Sequence, residues 1–409
     1  MADDIKKAPE IEQEAAATVD HDDQQRHLAA LDVELHRLWS LGRNLILAWT
    51  ARGRGLDVLV IPHYTLIAFA GIGAEEDGGG TRQGAVIEEL ITGAKHLEPA
   101  RLAEAAETLD YEIQHIELPF EPGVDVPDEV LEMAIKRFGI SYVEDRAVAL
   151  FDIVGFSLLS PLEQVTQLNS LAYSLNSAYA KLLKKRIDIS FARTTTGDGF
   201  YIWNRDRSVQ ANVNLYHFMH LVLADNAIAR RKSQHSNMSP LLRTCFHIGG
   251  HYEFYQSEGL SPTIYSYIVG DVTIELARMS ERAMPGQVLV GDFFAPMPDG
   301  MTGDEIRLDT TGFIERTQST LSSLEGLVLS EDGIESIKCY LTGAKLANEG
   351  FGIKRYRISD KHGRTRDVYN AKVNIYRTSA DPVFLGLQTE DLTAFEVVEE
   401  EFAGFGYDA

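Results

Sequence analysis

Apolar positions change their spacing several times along the chain, and each change predicts an element. Over 27–50 they recur at helical intervals, predicting a helix that packs on the next module or on its copy in a dimer. Residues 57–61 and 65–70 are short apolar runs of strand type, 86–108 is helical again, and 111–118 reads as a strand. Together 27–118 is expected to be a small α/β module of unknown role, and 1–26, polar and acidic, to lack order. Pro119 to Asp128, rich in proline and acid, reads as a linker, with a short helix at 129–138, so that 119–140 leads into the next module.

Residues 147–151 form an unbroken apolar run of the kind a buried sheet strand shows, and Asp152 emerges at its end. Ser160-Pro161-Leu162-Glu163 follows as N-cap, N1 proline and capping-box glutamate, predicting a helix over 161–185. The β-rich segments 187–193 and 200–203 flank Gly197-Asp198-Gly199, a hairpin turn. Strand, helix and hairpin would therefore bring Asp152 and Asp198 together. Further on, 242–250 and 264–269 read as strands, and Gly270-Asp271 opens a helix carrying Glu275, Arg278 and Met279. Late strands are expected at 338–341, 354–358 and 366–377, with a turn at Ser359-Asp360-Lys361-His362-Gly363. Residues 390–409 carry seven acids and read as a solvated tail.

Two carboxylates that leave coordination positions open suit Mg²⁺ or Mn²⁺, which keep waters and accept phosphate oxygens. Gly155 allows a turn whose N–H groups face a phosphate. Taken singly, the aspartates also fit plainer roles, an N-cap and an Asp-Gly turn.

The ordered string Phe151-Asp152-Ile153-Val154-Gly155-Phe156-Ser157, Thr196-Gly197-Asp198, His247-Ile248-Gly249-Gly250-His251, Gly270-Asp271, Ala277-Arg278-Met279 and Pro285-Gly286-Gln287-Val288-Leu289-Val290 resembles the class III nucleotidyl cyclase catalytic domain. The resemblance runs from about 144 to 292. It implies an α/β (α+β) chain, with a ferredoxin-like βαββαβ palm at 141–300, the N-terminal module before it, a β-rich extension at 301–380 and the acidic tail at 381–409. It implies two metal ions per site, Mg²⁺ or Mn²⁺, held by Asp152, Asp198 and the carbonyl of Ile153. Val154, Gly155, Phe156 and Ser157 would hold phosphate, and Arg278 would contact the phosphates as charge moves to the leaving group. Family sites form between two cyclase domains, so a chain with one such segment implies a homodimer with a nucleoside triphosphate at the interface. A phosphate lysine often comes from the late sheet, and Lys338, Lys345 and Lys354 are open choices.

The sequence departs from the family where base and ribose are read. Thr194 stands at the usual lysine or glutamate position, Tyr267 at the usual aspartate or cysteine, and Ile274 at the ribose asparagine; a one-residue slip presents Arg193 or Glu275 instead. A tyrosine shortens the pocket and a threonine hydroxyl can serve a uracil or cytosine edge, which fits the pyrimidine cyclases of bacterial anti-phage signalling. A purine cyclase forming cyclic AMP or GMP, and an inactive cyclase-homology domain with a regulatory or dimerisation role, are the alternatives.

Composition narrows partners. Lys+Arg 38 against Asp+Glu 61 gives a net charge of −23, which disfavours nucleic acid. Two cysteines, far apart, indicate neither a disulfide framework nor a cysteine zinc site, and cytoplasm is the expected compartment. No apolar stretch reaches the roughly 20 residues of a membrane span. Gly71-Ile72-Gly73 is followed by Glu76 and Asp77, acids that would repel phosphate, so an ordinary loop is expected. His217, His220, His247 and His251 lack a third ligand at metal spacing and read as core or surface histidines.

Overall fold

The apolar run after Gly42 is a strand, and the reason lies just before it. Helix α1 (Ala8–Trp39) stops where Ser40, Leu41 and Gly42 adopt φ of 49°, 60° and 89°, a left-handed stretch that no α-helix continues through. The helix expected over 27–50 therefore ends early, and β1 (Asn44–Ala51) takes its second half. The computed structural model describes the chain except residues 1–7, 70–81, 188, 234–237, 258–263, 300–301, 303, 330, 344–351, 361–362, 389–390, 393–394 and 403–409. The Gly71 loop, Lys345, part of the 359–363 turn and the end of the tail lie outside the described residues. Residues 8–26, expected to lack order, belong to α1.

The chain forms two units, one of residues 1–142 with 252–267, the other of 143–251 with 268–409. In the first, β1, β2 (Gly55–Pro62) and β3 (Ile113–Glu117) make an antiparallel sheet in that order. Around it stand α2 (Thr65–Phe69), α3 (Arg82–Thr92), α4 (Pro99–Leu109) and α5 (Asp128–Lys136). Ile46, Trp49 and Val58 pack with Leu31 and Leu35 of α1 and Leu131 and Ile135 of α5. Leu47, Leu59 and Ile61 pack instead with Val86 and Leu90 of α3 and Leu102 and Leu109 of α4. The sheet is thus apolar on both faces, as a covered sheet requires. Of the segment 65–70, expected as a strand, residues 65–69 are α2: Leu66 and Phe69, three apart, both reach the α3–α4 cluster, a helical spacing that a strand would have split between faces. The short helix after the linker is α5, and it is part of this core.

In the second unit β4 (Ile140–Ile153), α6 (Pro161–Lys184), β5 (Phe191–Thr195), β6 (Gly199–Asn204), α7 (Gln210–Lys232) and β7 (Leu242–Ser257) follow one another as βαββαβ. Their order in the sheet is β7-β4-β6-β5, with β4 antiparallel to β6 and β6 to β5. First strand beside third and fourth is the ferredoxin-like arrangement, and the chain is α+β. Ser160 closes its capping box with Glu163 and starts α6 as the sequence predicts. Strand β5 begins at Phe191, later than expected.

Along β4 the side chains alternate. Ala147, Ala149, Phe151 and Ile153 pack against Leu171 and Leu175 of α6 and Phe218 and Met219 of α7. Val148 and Leu150 face the other way, toward Val272, Leu276 and Met279 of α8 (Asp271–Arg282), which follows β8 (Ile264–Val269). Strand β9 (Val288–Gly291) pairs with β7, and after β10 (Phe294–Pro298), β11 (Glu305–Asp309), α9 (Thr310–Thr320) and β12 (Val328–Leu329) the sheet continues. Strands β13 (Asp332–Leu341) and β15 (Thr365–Arg377) extend it beyond β9, while β14 (Ile353–Ser359) and β16 (Val383–Leu385) pair with β15. The β-rich extension is therefore continuous with the palm sheet. Residues 396–402 of the acidic segment are not a free tail: they form β17 (Glu396–Phe402), which pairs with β14, with Arg357 in register with Glu396. Among the described residues no helix is long and apolar enough to cross a membrane.

Candidate functional site

Asp152 shares the alternation of Val148 and Leu150, so it points to the sheet face opposite α6 and α7 just where β4 ends. Its register partner is Gly199, and the Ile153 N–H donates to the Asp198 carbonyl at 2.9 Å. These contacts bring the β5–β6 turn against the end of β4 and set the two aspartates side by side. Gly199 is required there: a Cβ would lie 1.9 Å from the Phe151 carbonyl oxygen. Gly197 takes φ of 100°, and its N–H donates to Thr195 Oγ1 at 3.0 Å, while the Thr196 hydroxyl donates to Asp198 Oδ1 at 3.2 Å. A close turn with a carboxylate at its tip results.

The third charged group is Arg243, at the start of β7. Its Nη1 donates to Asp152 Oδ2 at 2.8 Å. Sequence reasoning missed it; the available signal was a cation one residue inside an apolar strand beginning at Leu242. Burial pushes the Asp152 carboxyl above its ordinary value, the Arg243 hydrogen bond pulls it back, and the neighbouring charge of Asp198 raises it again. The net shift is upward, because burial and the Asp198 charge together outweigh Arg243.

Beyond Ile153 the chain turns in a loop pinned by the Val154 N–H to the Leu241 carbonyl at 2.9 Å. Gly155 is left-handed at φ 69°, Phe156–Leu158 is a single 3₁₀ turn, and Gln164 of α6 donates to the Phe156 and Leu159 carbonyls. The loop lies directly beside the carboxylates, at the start of α6.

Thr194 stands across from Tyr201 on β6, and Tyr201 across from no acid but along the same face as Asp152. The Tyr201 hydroxyl donates to the Thr273 carbonyl and so fastens α8 to this face. Ile274 is exposed at 51% and apolar. Arg278 does not meet either aspartate: its Nη1 donates to Glu281 at 2.9 Å, and its Nε lies 3.7 Å from Asp360. Glu275, one turn earlier on α8, is held by Arg366. Tyr267 lies on β8 in the segment belonging to the first unit and stacks on Phe254 with centroids 5.5 Å apart. Lys338 sits over the Tyr376 ring and Lys354 on β14, neither joined to the aspartates. His217 and His220 are buried in α7, and no group of three or more His, Cys, Asp or Glu among the described residues forms a metal cluster. The pair Asp152–Asp198, with main-chain oxygen beside it, is the donor set present.

No family model matches the sequence, and no curated protein matches it. Among solved structures, the adenylyl cyclase CyaB from P. aeruginosa shares 13% identity over 59% of this chain and 98% of that one, with a TM-score of 0.33. The guanylyl cyclase Cya2 shares 11% over 57% of this chain and 92% of that one, with a TM-score of 0.32. The guanylate cyclase domain of RhGC from Catenaria anguillulae, solved in complex with GTP, shares 13% over 41% and 95%, with a TM-score of 0.29. The fold assignment rests on the strand order and not on these scores. Each of these three structures to which the chain is similar is thus an adenylyl or guanylyl cyclase or a cyclase domain.

Proposed function

We propose that the chain is a nucleotidyl cyclase, turning a nucleoside triphosphate into its 3′,5′-cyclic nucleotide and pyrophosphate. The observation that carries this is the convergence of Asp152 and Asp198 at the strand end beside the 154–157 loop. The donors fit a divalent cation: two adjacent carboxylates, of which Asp152 has its pKa raised by burial and by the charge of Asp198 against the pull of Arg243, and the carbonyl of the next residue, Ile153. Asp152, Asp198 and Ile153 would hold Mg²⁺ or Mn²⁺. When bound, such ions lower the pKa of the attacking 3′-hydroxyl and neutralise the triphosphate.

In the reaction the 3′-oxygen forms a bond to the α-phosphorus, the bond to the bridging oxygen of the leaving pyrophosphate breaks, and the hydroxyl proton passes to solvent. The Val154 N–H expected to hold phosphate is already given to the Leu241 carbonyl, so the N–H groups of Gly155, Phe156 and Ser157 orient the phosphates, with left-handed Gly155 turning the loop. Arg243 opposes the effect of burial on the Asp152 carboxyl and aims it through its hydrogen bond. Arg278, partnered on its own helix and at the β14–β15 turn, serves the site of a second copy in a homodimer, whose aspartates serve this arginine in return. For the base, the Thr194 hydroxyl can donate to or accept from a uracil or cytosine edge and Ile274 offers no polar atom; UTP or CTP is the substrate this reading favours.

Incubation of the purified chain with Mn²⁺ and each of ATP, GTP, CTP and UTP, followed by mass analysis, tests the reading. A cyclic pyrimidine product supports it in full; cyclic AMP or GMP overturns the base assignment alone, and no product from any overturns the enzyme. Asp152→Ala and Asp198→Ala should each abolish pyrophosphate release. Mixing Asp198→Ala with Arg278→Ala chains should restore part of the activity through one intact hybrid site, and confirmed dimers without rescue would refute the shared site.

A further inference from the structure

Arg278 is held by a ring of alternating charge that leaves α8 and returns to it. Glu275 accepts from Arg366 with both oxygens, at 2.5 and 3.2 Å. Arg366 Nη1 lies 3.5 Å from Asp360 Oδ2, and the same oxygen lies 3.7 Å from Arg278 Nε. Glu275 and Arg278 are one turn apart on the helix, so the ring closes through α8 itself. Asp360 is its pivot. Only 3% of its side chain is exposed, and its Oδ1 is anchored by the Arg364 N–H at 3.0 Å within the β14–β15 turn. With one oxygen fixed to backbone, the other is aimed at two guanidinium groups. A carboxylate so buried is costly unless paired, and its two arginines supply that pairing.

The consequence falls on Arg278. Asp360 faces its Nε and Glu281 takes its Nη1, which leaves the Nη2 edge of a side chain 22% exposed. A guanidinium held on two edges presents its third in a set direction, and a group fixed before the reaction loses less entropy during it. We infer that Asp360 is a positioning residue for Arg278, and that the β14–β15 turn, outside the βαββαβ palm, sets the arginine's aim. This rests on the cyclase reading for its kinetic consequence, and on the ring alone for its structural one.

The test is a double-mutant cycle in the full chain with Mn²⁺ and the triphosphate that turns over. Asp360→Asn should lower kcat by roughly 10- to 100-fold, the scale of a misaimed group, with KM little changed. In an Arg278→Ala background the same change should cost nothing further, because its effect passes through the arginine. Glu275→Gln, which loosens Arg366 while leaving the Asp360 anchor, should give a smaller loss, again absent without Arg278. An equal loss from Asp360→Asn in both backgrounds, or a rise in KM with kcat intact, overturns the inference. A parallel readout needs no turnover: the Arg278 Nε–H, observed by NMR, should exchange slowly in the wild type and quickly in Asp360→Asn. Equal exchange in the two overturns the ring. If no triphosphate is cyclised, the cyclase reading fails and this exchange measurement decides the inference by itself, as it does where Arg278→Ala leaves no measurable turnover.

Discussion

Replacing His217 and His220 together with glutamine should flatten the loss of stability that acid causes in the second unit. Both imidazoles lie in α7, 3% and 0% exposed. Burial pushes His217 down to about 3, helped by the neighbouring His220, and pushes His220 down to about 4. Neutral, they are accommodated: His217 Nε2 contacts Thr320 Oγ1 at 2.9 Å, and His220 Nδ1 the Tyr216 carbonyl at 2.8 Å. In the unfolded chain each titrates near 6.5. Because the folded value is the lower one, the full stability is present above pH 6.5 and is lost as pH falls toward the folded values. Between pH 7 and pH 5 the native state stays neutral at both positions while the unfolded chain gains protons, and linkage gives about 2 kcal/mol for each histidine, or about 4 kcal/mol together. That figure requires only that both stay neutral at pH 5. Urea unfolding at the two pH values, followed by circular dichroism with each transition fitted separately, measures it. Other titrating groups act equally in both proteins, so the difference isolates the pair. A double variant that loses as much stability as the wild type, within about 0.5 kcal/mol, refutes the reasoning.

Gly199→Ala should lower the thermal midpoint, with an overpacking cost of about 1–3 kcal/mol, and remove activity, because the new methyl meets the Phe151 carbonyl beside Asp152; calorimetry showing an unchanged midpoint would refute it. Lys95→Met in the first unit should cost about 2–4 kcal/mol, since the fully buried Nζ donates to the Leu90 and Ile140 carbonyls at 2.6 and 2.8 Å and both would lose a donor. Chemical denaturation of the full chain checks it, and undiminished stability of the first transition counts against it.

Elements whose signal is local were legible. The Ser160 capping box and the apolar spacing behind it announce α6, the run 147–151 announces β4, and Gly197-Asp198-Gly199 announces the turn. Where a short run fits two periods, local signal fails. Residues 65–70 read as strand, and 65–69 are helical because Leu66 and Phe69 find the same cluster. Residues 44–51 continue the spacing of α1, yet a left-handed break ends the helix before them. The acidic 396–402 segment reads as solvated, and its pairing with an arginine-bearing strand is invisible without knowing that β14 lies beside it.

The same division runs through the site. The sequence alone determined which carboxylates stand at strand ends and which glycines free the turns, because capping, periodicity and turn chemistry act over a few residues; the βαββαβ order came from the resemblance. Tertiary structure decided everything that depends on register between distant segments. It set Asp152 opposite Gly199, brought Arg243 onto Asp152, joined Glu275 to Arg366, and gave Arg278 to Asp360, more than eighty residues on. A charged side chain pairs with whatever opposite charge the fold brings within a few ångströms, and sequence spacing carries no record of that distance.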